Sequence, residues 1–71
     1  MTLKDLLDVI NASSMIIIET VNGYGERAKP LAFDGLVELE EYDSKTDITS
    51  CQVASVSAAS EGTLFIRLWE N

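Results

Sequence analysis

The run Met15-Ile16-Ile17-Ile18-Glu19-Thr20-Val21, followed by Asn22-Gly23, constrains this chain more than any other feature. Branched side chains at Cβ are stiff in χ1 and pack well on a pleated surface, so the run reads as a strand. Asn-Gly directly after such a run is the strongest short hairpin signal. The return strand is expected from about Arg27 to Phe33, and Pro30 within it either demotes that strand to a sheet edge or lies on an open side. A sheet needs an apolar cover, and residues 2–10 can supply one. Leu3, Leu6, Leu7 and Ile10 fall at i, i+3, i+4 and i+7, one stripe of an amphipathic helix. Thr2 can cap that helix and Asp5 stands where a capping-box acid belongs. Asn11-Ala12-Ser13-Ser14 forms a polar stop.

Further along, Asp34-Gly35 signals a turn. Leu36, Leu39 and Tyr42 recur every three residues, while Val37 to Glu40 also alternate as a strand would. A short helix or turn-rich crossover over residues 36–42 is the favoured reading, with Asp43 to Thr49 as a polar loop. The last segment reads as a second hairpin: Ser50–Ala58, a turn over Ala59–Gly62, then Thr63–Trp69. Val53 and Val56 are out of phase for a strict strand, which places a bulge near Ala54-Ser55. The expected fold is a single α+β domain, residues 1–71. An N-terminal amphipathic helix packs on a small, mostly antiparallel sheet of about four strands in two hairpins.

A chain of 71 residues buries only about 60% of its unfolded surface, and small domains often lean on disulfides, metals or association. Cys51 is alone and there is no histidine, so an internal disulfide and a Cys/His zinc site are both excluded. Self-association is the remaining aid, and a homo-oligomer is expected. Without imidazole there is no Ser-His-Asp triad and no Cys-His pair. Cys51 therefore reads as a packing residue, the chain as non-enzymatic, and no cofactor is called for. No apolar run approaches the ~20 residues of a membrane span, and Asp5 and Asp8 argue against a signal peptide. A cytoplasmic location is expected. Gly23-Tyr24-Gly25-Glu26-Arg27-Ala28 matches the dinucleotide fingerprint in letters, but Lys29-Pro30 follows where a helix must open.

The charge is uneven. Residues 30–47 hold six acids, Asp34, Glu38, Glu40, Glu41, Asp43 and Asp47, against one lysine, which is five units of the net −7. A net negative chain repels nucleic acid and anionic membranes. The segment reads either as a solvated surface or as an acidic face that docks on a basic groove. An EF-hand is rejected, since Lys45 and Ile48 occupy positions that need an oxygen ligand and a glycine. In the last strand Leu64, Ile66 and Leu68 share one face; Phe65, Arg67 and Trp69 share the other. The second set either packs under the N-terminal helix or, with Tyr24, forms a partner or dimer surface. Arg27, Lys29 and Arg67 are the alternative set, for an anionic signalling nucleotide held between subunits of an oligomer. A structural or assembly module with no ligand is the third reading.

Met1 to Ile10, the Ile-rich strand after it, Val53-Ala54-Ser55-Val56-Ser57-Ala58 and Gly62-Thr63-Leu64-Phe65-Ile66-Arg67-Leu68 carry a resemblance. In order and spacing these segments are similar to small uncharacterised proteins encoded by phages and prophages of Firmicutes. Residues 34–50 depart from the pattern and are more acidic. The group has no known catalytic residues to carry over. The resemblance implies a viral accessory protein that binds and inhibits a host defence protein, including the anti-CRISPR type. The expected partner is then a host protein with a basic, nucleic-acid-binding surface.

Overall fold

The computed structural model describes residues 1–9, 15–60 and 62–70. Helix α1 spans Leu3–Val9, strand β1 Met15–Val21 and strand β2 Leu31–Asp34. Helix α2 spans Leu36–Thr46 and leads into a single 3₁₀ turn, Ile48–Ser50. Strands β3, Val53–Ser60, and β4, Thr63–Trp69, complete the chain. The fold is α+β: the strands form one mixed sheet in the order β2-β1-β4-β3. Both sequence-adjacent pairs are antiparallel, as the two-hairpin reading requires, and β1 and β4 join them in parallel.

The capping box of α1 forms. The Asp5 N–H donates to Thr2 Oγ1 at 3.2 Å and the Thr2 N–H donates to Asp5 Oδ2 at 3.1 Å. The Thr2 N–H, and after it the Thr2 hydroxyl, favour the ionised carboxylate and hold the Asp5 pKa below its ordinary value. Ile10, the Asn11–Ser14 stop and Glu61 of the second turn lie outside the described residues.

Ile16 and Ile18 of β1, Ile66 and Leu68 of β4 and Phe33 of β2 turn to one face of the sheet. There they meet Leu3 and Leu6 of α1, Leu39 of α2, Ile48 and Cys51 in one core cluster. The Cys51 side chain is buried within this cluster. Both helices lie on this face, and the alternate residues of β1 and β4 make up the other.

Three boundaries differ from those expected. Asn22-Gly23 does not close a two-residue turn. The Asn22 side chain instead accepts the N–H groups of Tyr24 and Glu26, at 2.9 and 3.0 Å, and Gly25 takes φ +82. Pairing starts at Val21↔Arg27, lapses at Lys29-Pro30 and resumes at Ile18↔Leu31. Three steps along β1 then face four on the return, so one residue is extruded where proline offers no donor. The return strand is thus Leu31–Asp34, on an edge as Pro30 implies. Helix α2 runs four residues past Tyr42, and the polar loop of 43–49 is helix and 3₁₀ turn instead. Asp43 explains this: its Oδ1 accepts the Thr49 N–H and hydroxyl at 2.9 and 2.8 Å, closing the corner. The third strand begins at Val53, after that corner, and runs to Ser60. Its register shifts between Val53 and Ser55, the bulge expected there.

Candidate functional site

The acidic segment is built on α2. Leu39 is fully buried, Leu36 and Tyr42 flank it, and the Tyr42 ring meets Phe33 with centroids 5.2 Å apart. That stripe fixes the helix rotation and leaves Glu38, Glu40 and Glu41 exposed. The six acids then differ in duty. Glu38 Oε2 accepts the Asp34 N–H at 2.9 Å and secures the first turn, where Gly35 has no side chain to cap with. Asp43 holds the far corner. Asp47 ends the helix in a left-handed conformation, φ 56 and ψ 36. Asp34, Glu40 and Glu41 are exposed.

The acids also part to two flanks. Glu40, Asp43 and Asp47 line an open groove of about 580 Å³ between α1 and the corner after α2. Asp8 and Lys4 of α1 line it too, so Asp8 stands with Glu40, Asp43 and Asp47 although it lies outside the acidic segment. The only available signal was its place beside, rather than on, the leucine stripe of α1. Glu38 and Glu41 line a smaller depression of about 250 Å³ with Lys45, Tyr42 and Phe33. Among the described residues, no group of three or more His, Cys, Asp or Glu is placed to hold a metal ion.

The chain's arginines lie elsewhere. Among the described residues the ion pairs are Arg67 Nε to Glu19 Oε1 at 3.0 Å and Arg27 Nε to the same oxygen at 3.8 Å. Arg67 also lies over the Phe65 ring, 5.8 Å from its centroid. Phe65, Arg67 and Trp69 share the sheet face turned away from the helices; α1 packs instead on the side that carries Ile66 and Leu68. Trp69 is 49% exposed. Tyr24 is 91% exposed, in the loop after β1, and among the described residues makes no ring contact with that face. Of the alternative anion set, Arg27 and Arg67 share the Glu19 carboxylate and Lys29 is exposed in the same loop as Arg27. The fingerprint letters of 23–28 lie in that loop, and a strand rather than a helix follows.

No protein-family model, curated protein or solved structure matches the chain. No helix among the described residues is long and apolar enough to cross a membrane.

Proposed function

We propose that this protein is a non-enzymatic accessory protein of phage type, at work in the bacterial cytoplasm. It binds a host defence protein, as anti-CRISPR proteins do, and lays its acidic segment over a basic nucleic-acid-binding surface. One observation carries the reading. Both ion pairs among the described residues go to Glu19, so among those residues no cation is paired with Glu40, Glu41 or Asp34. Their field is left for a partner, and complementary potentials speed encounter and select partners more than they add raw affinity. Grooves this open, in a chain without histidine, offer no enclosed site for acid–base chemistry.

The test neutralises the charges that the fold does not use. Asp34→Asn, Glu40→Gln and Glu41→Gln leave Glu38 and Asp43 at their hydrogen bonds. The wild-type chain and this triple variant are used as baits in nuclease-treated bacterial lysate, at low and raised salt. The wild type is expected to retain nucleic-acid-binding proteins at low salt. Raised salt and the triple variant are each expected to release them. Equal retention by both baits at low salt overturns the proposal.

A further inference from the structure

The sheet has two edges, and only one is guarded. β2 is four residues long, follows Pro30, ends on Asp34 and packs against α2. Short length, proline and charge are the usual devices that stop an edge from pairing with another chain. β3 has none of them. Its eight residues, Val-Ala-Ser-Val-Ser-Ala-Ala-Ser, include no charge, no proline and no glycine. Its beginning is covered on the outer side. The Val53 N–H donates to the Met1 carbonyl at 2.8 Å, and Thr2 bridges Gln52. The bulge after Val53 then turns the strand away, and from Ser55 to Ala58 β4 is its strand partner among the described residues. Ser55, Val56, Ser57 and Ala58 are all exposed.

We infer that the Ser55–Ala58 part of β3, between its two register shifts, is the seam of a homodimer. Two copies pair antiparallel through this edge and make one continuous eight-stranded sheet. A two-fold axis sets the same small, uncharged residues opposite each other, so the seam is self-complementary and free of like-charge contacts. The charge distribution selects a second copy joined here. Each chain carries −7, and none of that charge lies on β3, so two copies joined here set no like charges opposite each other along the seam. The seam also gives a short chain with one cysteine the association that domains of this size lean on. It does not rest on the acidic segment's having a partner.

The full chain is examined by sedimentation equilibrium over about a hundred-fold range of concentration, with amide hydrogen exchange on the same samples. The mass is expected to double. Protection of the outward amides of Ser55–Ala58 rises in step, while that of β1 stays level. Ser57→Lys with Ala58→Lys, both at exposed positions, is expected to return the mass of one chain with an unchanged circular dichroism spectrum. Trp69→Ser is expected to leave the doubled mass intact. A single-chain mass for the wild type at every concentration overturns the inference. So does a doubled mass with β3 exchange that does not change, whatever the variants do, because the seam would then lie elsewhere, as on the Phe65–Trp69 face.

Discussion

Glu19 is 7% exposed, yet it sits on the sheet face that no helix covers. What buries it is its own partners. Arg67 lies directly across in the β1–β4 register and Arg27 reaches it from the following loop. The two members of the main pair are unequal in cost. The Arg67 side chain is 32% exposed and can turn to water if the carboxylate is lost. The Glu19 side chain is only 10% exposed, and without Arg67 it keeps a single, more distant cation. Arg67→Met is therefore expected to cost about 2 kcal/mol, and Glu19→Leu clearly less. Urea unfolding followed by circular dichroism gives the order, and the reverse order would mean that apolar contact, not the charge pair, organises this face. Sequence alternation put Arg67 between Phe65 and Trp69 correctly. It did not point to Glu19, because that contact exists only once two strands 48 residues apart align in parallel. No local signal encodes that register.

Elements were legible where their signals are local. The α1 cap, the edge position of the Pro30 strand and the bulge after Val53 each depend on a few neighbouring side chains. The end of α2 was not, because Asp43 holds it by reaching six residues ahead to Thr49. That contact gives the acidic segment opposed roles within a single element. Asp43→Ala leaves the Thr49 N–H and hydroxyl without their acceptor and is expected to destabilise by about 1–2 kcal/mol. Asp47→Gly acts the other way. Its φ of 56 suits glycine better than a residue with Cβ, and a gain of about 0.5 kcal/mol is expected after the extra freedom of the unfolded chain is counted. Each change removes one carboxylate from the groove beside α1. Mere relief of charge repulsion would shift both melting temperatures upward; the expected result is one down and one up.

On the scale of the whole molecule the same charge acts on folding and on binding with opposite sign. Five of the seven net negative units lie in residues 30–47, close together on a compact body with a Cα radius of gyration of 11.2 Å. The folded state concentrates these acids more than an extended chain does, so their repulsion opposes folding. Added salt screens exposed charges and leaves the partly buried Glu19 pair less affected. The melting temperature is therefore expected to rise between low salt and about 0.5 M sodium chloride. A relief of about 1 kcal/mol moves the midpoint of a domain this size by roughly 4–8 °C. The Asp34→Asn, Glu40→Gln, Glu41→Gln variant should start higher and respond less. Over the same salt range, association with a basic partner should slow, since steering depends on the field that the salt removes. A melting temperature that falls with salt would show that the Glu19 pairs outweigh the acidic segment. The segment's charge would then be too weak a perturbation of this fold to be a credible source of steering.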